Sequence, residues 1–267
     1  MAPNSSDAGS DVDPAVFASE GGHDETERSR MGFLEHLDEL RRRLIYSVYA
    51  IAGCSVVAFW FIGDLNRYML AYFAGLAGRL LATQITEGFI FEFKVGLLAA
   101  FILASPFVFA QLWFFVAPGL YAREKKVVFP FVLSVTTLFA CGVVFAHLIA
   151  FPAMIKFFVG NFSNSYLEIR PSIQLVFSFY LKMVLGFGLV FEMPVLVFFL
   201  ARFGIVSAGF LWGKTRYAIL IIFIIAAIVT PTPDPINQTI FALPMIGLYF
   251  ISIGVAWAFG KKRPDAA

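Results

Sequence analysis

Long apolar runs alternate with short polar loops along most of the chain. Six apolar segments lie at roughly 44–62, 92–116, 128–150, 174–203, 215–230 and 236–258. An α-helix rises about 1.5 Å per residue, so about 20 apolar residues cross a hydrocarbon core of ~30 Å. The pattern therefore predicts an all-α, polytopic membrane protein with six transmembrane helices. The fifth segment is short, and we expect locally thin membrane beside the last two helices.

The residues before the first span show a second kind of pattern. Large apolar residues recur with a period near 3.6, between charged residues, at Phe33, Leu34, Leu37, Leu40 and Leu44. This predicts an N-terminal amphipathic helix that lies on the inner membrane surface and runs into the first span. Residues 1–30 are rich in Asp and Glu among Ser, Gly and Ala, which predicts a disordered acidic cytosolic tail. The membrane domain is then 31–259, followed by a basic cytosolic tail at 260–267.

Composition and charge agree with a lipid-solvated protein. The chain is 60% hydrophobic and 14% charged, whereas a soluble domain is near 25% charged. The net charge of +2, without a basic tract, gives no indication of nucleic-acid binding. Fourteen of the 20 Lys and Arg residues fall on one side of the six spans, namely Arg28, Arg30, Arg41, Arg42, Arg43, Arg123, Lys125, Lys126, Arg202, Lys214, Arg216, Lys261, Lys262 and Arg263. Because cytoplasmic loops retain positive charge, both termini are expected in the cytosol.

Three prolines and one carboxylate lie inside the apolar segments. Pro106, Pro194 and Pro244 each remove a backbone hydrogen bond, so their helices are expected to kink. Glu192 lies two residues before Pro194, ~16 Å from the cytosolic end of its span. A carboxylate at that depth is expensive unless it faces a partner or a wet cavity, which favours a functional or cavity-lining role. Gln238 is a weaker candidate, because amides often serve only as interhelical hydrogen bonds.

Two carboxylates near the cytosolic face have ordinary alternatives. Glu124 lies in a cation-rich turn, where it is either a solvated loop residue or a binding group. Glu39 precedes Arg43 by four residues, so the two can form a common surface pair on a helix.

Sequence signatures of enzymes and metal sites are missing. The chain has neither the H-E-x-x-H pattern of zinc proteases nor the G-x-S-x-G nucleophile elbow. The stretch Ala208–Thr215 resembles a phosphate-binding loop only loosely, because Ala208 replaces glycine and bulky residues fill it. Cys54 and Cys141 lie in separate spans without metal-ligand spacing. We therefore expect no enzyme activity, no metal and no cofactor.

Several short motifs occur in a specific order along the chain: His36–Leu44, Thr86–Phe89 with Lys94, Ser105–Pro106, Gln111–Tyr121 with Glu124, Phe191–Pro194 and Thr230–Pro244. Together they resemble the TatC family, the receptor core of the twin-arginine protein translocase. The resemblance runs from about residue 31 to 259. It implies six helices in a cupped, glove-like bundle that exports folded proteins and uses the proton gradient.

The resemblance also implies partners and site residues. The partners would be the single-span proteins TatA and TatB, the lipid bilayer and signal peptides with two adjacent arginines, within a multimeric receptor complex. The signal-peptide site on the cytosolic face would comprise Glu39, Glu124, Arg41 and Phe115. Glu192 and Gln238 would be polar positions of the cupped surface or of a partner-docking region. The turn Pro231–Pro235 is longer than expected for the family, which leaves Asp234 without a role.

A small-solute or ion secondary transporter is the main alternative. Such a protein would use Glu192 and the proline-broken helices as a midplane site, and an inverted internal repeat would be expected. The acidic and proline positions of the first three spans do not recur in the last three. The predicted setting is the bacterial cytoplasmic (inner) membrane, with thylakoid and archaeal membranes as alternatives.

The charge asymmetry yields a topology prediction. Reporter fusions after residues 78, 165 and 233 should read as external, and fusions after 122, 209 and 262 as cytosolic, because the cation-rich loops stay inside. Paired phosphatase and fluorescent-protein reporters measure this directly. An external reading at residue 209 would contradict the predicted topology.

Overall fold

The computed structural model describes residues 14–116, 128–162, 170–230 and 235–260. The helices are α1 (Pro14–Trp60), α2 (Ile62–Ala77), α3 (Glu87–Val116), α4 (Val128–Phe145), α5 (Phe151–Phe162), α6 (Ile173–Val190), α7 (Met193–Arg202), α8 (Ala208–Gly213), α9 (Thr215–Val229) and α10 (Pro235–Phe259). A π-helical turn, Ala146–Ala150, connects α4 to α5. The chain divides into two compact units, Met1–Tyr46 and Ser47–Ala267.

The helices confirm the apolar segments expected from the sequence. Five described stretches are long and apolar enough to cross a membrane: Glu35–Trp60, Glu87–Phe115, Phe129–Gly160, Ile173–Arg202 and Gln238–Phe259. A shorter apolar helix, Thr215–Ile228, corresponds to the short fifth span. Because lipid offers no hydrogen bonds to the backbone, such segments are stable only as helices, and the chain is an all-α polytopic membrane protein.

Helix α1 is a single long helix that begins at Pro14 and continues without a break to Trp60. The amphipathic segment before the first span therefore runs directly into that span, as the sequence predicted. The cytosolic placement of the acidic residues 1–30 stays a prediction. Residues 1–13 and 261–267 lie outside the described residues.

The fourth span is interrupted where the sequence predicted a kink. Helix α6 ends at Val190, a turn covers Phe191 and Glu192, and α7 begins at Met193 with Pro194 in its first turn. Proline has no N–H and its ring clashes with the carbonyl four residues earlier, which is that of Val190. Pro106 and Pro244, by contrast, lie inside the continuous helices α3 and α10.

Helix α2 has no counterpart among the predicted spans. It is only 16 residues long and carries Asp64 and Arg67, so a search for long apolar runs passes over it. Its buried residues Met69, Phe73 and Ala77 repeat every four positions and form one apolar face. Phe73 is fully buried and packs against Phe151 and Tyr180, each with ring centroids 5.3 Å away. This aromatic cluster anchors α2 to the core.

Helices α4 and α6 approach each other closely at two glycines. A Cβ atom on Gly142 would lie 2.6 Å from the carbonyl oxygen of Phe187 and 2.9 Å from the Cα atom of Gly188. A Cβ atom on Gly188 would lie 2.6 Å from the Phe139 ring. Small residues at these positions let the two backbones meet, which is the usual means of helix association in lipid.

We predict that Gly142→Ala lowers stability by about 1 to 3 kcal/mol, the usual penalty for forcing extra atoms into a packed core. Gly254→Ala is the matched control, since a Cβ atom there has nothing within 4 Å. Thermal unfolding of the two purified variants in detergent, followed by size-exclusion chromatography, measures the difference. Equal melting temperatures would show that the α4–α6 contact can relax.

Candidate functional site

A pocket rich in charge lies on α1 within the first unit. It is lined by Glu35, Asp38, Glu39, Arg42 and Arg43. Arg43 donates a hydrogen bond of 3.2 Å to Glu39, and Arg42 lies 3.8 Å from Asp38. Both contacts join residues four apart, so the surface pair considered for Glu39 is present. Three carboxylates still face two guanidinium groups, which leaves the pocket with an acidic excess.

The other residues of the predicted signal-peptide site lie in separate parts of the chain. Arg41 is exposed on α1 and does not line the pocket. It follows Glu39 by two residues, and side chains at that spacing point to different sides of a helix. Phe115 is half-buried near the end of α3, in the second unit. Glu124 lies outside the described residues. The joint arrangement of these three residues with Glu39 therefore stays a prediction.

Glu192 occupies the turn that separates α6 from α7. It is 7% exposed, and neither carboxylate oxygen makes a hydrogen bond of ordinary geometry with a described residue. A buried carboxylate without a partner destabilises the fold by several kcal/mol. Glu192 therefore lowers the stability of the fold, and a residue kept in a membrane span despite such a cost is a candidate functional residue.

Gln238 has an interhelical contact. Its side-chain Nε2 donates a hydrogen bond of 2.8 Å to the carbonyl oxygen of Phe223, which ties α10 to α9. The contact is the interhelical hydrogen bond that the sequence analysis gave as the structural role of this amide. Asp234 lies outside the described residues.

An apolar groove of about 400 Å³, here called the α6–α9 groove, lies between the α6–α7 junction, α9 and α10. Its walls include Gly186, Leu189 and Met193 on one side, Ile221 and Ile225 on α9, and Met245 on α10. Leu189 and Ile221 are 60% and 55% exposed, so the groove opens outward from the protein. No single apolar residue marks such a groove in the sequence, because it depends on how three helices diverge.

Sequence reasoning also missed a polar cluster around His147, which lies in the π turn. The hydroxyl of Tyr68 is 2.8 Å from Nε2 of His147, and that of Tyr180 is 3.0 Å from Nδ1. Tyr72 donates to the backbone carbonyl of His147 and stacks on its ring at 4.2 Å. Burial raises the pKa of the Tyr72 hydroxyl, which keeps it a donor. An ionisable residue within an apolar run was the available signal.

A second polar cluster joins two loops. Glu87, 3% exposed, accepts hydrogen bonds from the Thr83 side chain and from the Ser172 hydroxyl, the latter at 3.2 Å. Leu81 and Ser172 form an isolated parallel bridge beside it. These contacts fix the start of α3 against the start of α6, and they make Glu87 a structural rather than a binding residue.

Comparisons with known proteins identify the family of the chain. Residues 35–244 match the model of a family described as "Sec-independent protein translocase protein (TatC)". A protein named Sec-independent protein translocase protein TatC from Koribacter versatilis is 44% identical over 260 residues, which cover 94% of this chain and 93% of the relative. The protein of the same name from Helicobacter pylori strain J99 is 38% identical, over 83% of this chain and 87% of the relative.

A solved structure extends the similarity to three dimensions. The crystal structure of the twin-arginine translocase receptor TatC in DDM superposes with a TM-score of 0.75 at 34% identity, over 83% of this chain and 99% of that chain. A second crystal structure of that receptor gives a TM-score of 0.74 at 35% identity, over 83% of this chain and 97% of that chain. The chain therefore belongs to the TatC family and is a multi-pass membrane component of the Sec-independent protein translocase.

Proposed function

We propose that this chain is the receptor of the translocase and binds signal peptides with two adjacent arginines at its cytosolic face. The observation that supports the proposal most is the acidic excess of the pocket on α1, where Glu35, Asp38 and Glu39 face Arg42 and Arg43. The crystallised relatives are themselves described as twin-arginine translocase receptors. Glu39 and Glu124 recognise the arginine pair, with Arg41 and Phe115 beside them.

The chemistry of the arginine side chain explains the selectivity. A guanidinium presents a planar fork that a carboxylate meets with two parallel hydrogen bonds, whereas a lysine ammonium is a point charge. Glu39 already accepts one guanidinium hydrogen bond, from Arg43. Both side chains are about 30% exposed, and solvent-exposed pairs of this kind contribute little stability. A signal arginine can therefore displace Arg43 at small cost.

We further place the protein in the bacterial cytoplasmic membrane with both termini in the cytosol. The distribution of Lys and Arg supports this orientation, since Arg41 to Arg43, Arg202, Lys214 and Arg216 then lie on one side. Lys214 and Arg216 lie over the Tyr217 ring at 5.4 Å and 5.0 Å from its centroid, as expected for aromatic and basic residues that meet at a membrane surface.

The single-span partners TatA and TatB dock beside α9 and α10. Helix α9 has 15 residues, which is about 22 Å and shorter than an ordinary hydrocarbon core. The thinned lipid next to it is costly, and a partner helix that covers α9 removes part of that cost. The α6–α9 groove supplies the apolar surface, and Met245, which lines it, lies on α10. The assembled complex uses the proton gradient to export folded cargo.

We predict that Glu39→Gln weakens signal-peptide binding by roughly 10- to 150-fold, because charge-assisted hydrogen bonds become neutral ones. Glu124→Gln should act on the same step, and the double variant should be less than additive if both residues hold one arginine pair. The measurement is crosslinking of a radiolabelled twin-arginine precursor to membranes that contain each variant at equal protein level.

Asp64→Asn is the matched control. Asp64 also pairs with an arginine on its own helix, Arg67 at 3.7 Å, but it belongs to α2 and is not one of the proposed site residues. This variant should bind the precursor like the wild type. Undiminished binding by both Glu39→Gln and Glu124→Gln would mean that these carboxylates are ordinary surface residues.

A further inference from the structure

Lys182 is a cation within a membrane span, the stretch Ile173–Arg202. It lies nine residues after Ile173, the first residue of α6, which corresponds to about 14 Å along the helix axis. The side chain is exposed. Among the described residues the ion pairs are Arg42–Asp38, Arg43–Glu39 and Arg67–Asp64, and Lys182 takes part in none of them. A charge at this depth is costly unless a partner or water meets it.

The position of Lys182 on α6 places it in line with the α6–α9 groove. Gly186 and Leu189, which line the groove, follow Lys182 by four and seven residues. Residues at these spacings share one face of a helix. Lys182 is therefore located on the groove face, one helical turn closer to the N-terminal end of α6 than the nearest lining residue.

The groove has the properties of a docking surface for an α-helix. Gly186 presents no side chain, so the backbone of a neighbouring helix can approach closely. Met193 and Met245 are unbranched and adapt their shape to a partner. The exposed Leu189 and Ile221 give the groove an opening toward lipid. A straight apolar helix that fills the groove would continue past Gly186 and meet Lys182.

We propose that Lys182 pairs with a carboxylate on the membrane-spanning helix that occupies the α6–α9 groove, and that this pair selects the partner. The inference rests on the proposed docking of single-span partners beside α9, and it specifies their chemistry. The occupant is an apolar helix with one Asp or Glu at the depth of Lys182. The pair neutralises both charges, so each makes the other tolerable in the membrane.

A competing arrangement is that the Lys182 stem extends along α6 toward the membrane surface. Side chains on a helix tilt toward its N-terminus, so the ammonium would move about one turn in that direction. Such a lysine would have no preference for an acidic helix. The two arrangements therefore differ in a measurable selectivity.

The test uses a synthetic membrane-spanning peptide of Leu and Ala with one photoreactive leucine and a single Glu placed at the depth of Lys182. A second peptide carries Gln at that position. Each is reconstituted at pH 8 with the full-length protein in phosphatidylcholine vesicles, and crosslinks are mapped by mass spectrometry. We expect the Glu peptide to label the groove residues of α6 and α9 roughly 3- to 30-fold more than the Gln peptide, the range for polar contacts between helices in lipid.

Two variants separate selection from docking. Lys182→Met should remove the preference while both peptides still label the groove, and Lys182→Glu should favour a peptide with Lys at that position. Lys156→Met, at an exposed lysine of α5 that does not line the groove, should keep the preference for Glu. Equal labelling of the wild type by both peptides overturns the role of Lys182 and leaves the docking proposal standing. Labelling that avoids the groove overturns both, and the signal-peptide proposal is unaffected.

Discussion

The exclusion of unsatisfied polar groups from lipid determines most of this structure. Apolar segments must close their backbone hydrogen bonds within themselves, so they form helices, and a carboxylate or ammonium inside them is retained only against a cost. The fourth span contains two such groups: Glu192, buried in the α6–α7 turn, and Lys182, exposed on α6 ten residues earlier. The break at Pro194 supplies the turn in which Glu192 is located. The buried carboxylate therefore lies at the point where the helix is interrupted.

Close contact between α4 and α6 stabilises the fold and offsets the cost of these polar groups. Gly142 and Gly188 let α4 meet α6 at backbone distance, and Gly188 lies four residues before Glu192. On the other side of α6, the walls separate and leave the α6–α9 groove open. Helix α6 therefore has one face fixed in the core and another available to a partner, which is the arrangement expected of a component that assembles with other membrane helices.

The sequence predicts the spans well because a lipid solvent makes hydrophobicity the dominant signal. The short α9 and the interruption at Pro194 were both foreseen, since each follows from counting residues or from proline chemistry. Helix α2 and the tyrosines around His147 were missed because their contacts join residues 33 to 79 positions apart, which no local pattern reveals. The α6–α9 groove was missed for a related reason, since it is a space between helices rather than a residue pattern.

The candidate site was predictable only in part. Acidic residues near the cytosolic face follow from charge patterning, but Glu39 has an arginine partner on its own helix, and such a pair alone does not distinguish a binding residue from an ordinary surface residue. The assignment of Glu39 and Glu124 to one site came from the family resemblance. Lys182 could have been flagged by its depth, yet its meaning depends on the groove beside it, which only the structure contains.

The central claim is that this chain recognises the arginine pair of a signal and directs folded cargo through the translocase. The most direct measurement is export of a folded fluorescent reporter in a bacterial strain that lacks its own receptor and carries this chain with the single-span partners from the same source. The account predicts that a twin-arginine signal delivers the reporter to the periplasm and that a twin-lysine signal, with the same net charge, does not. Equal export of both reporters, or cytosolic retention of both while the complex is present in the membrane, would contradict it.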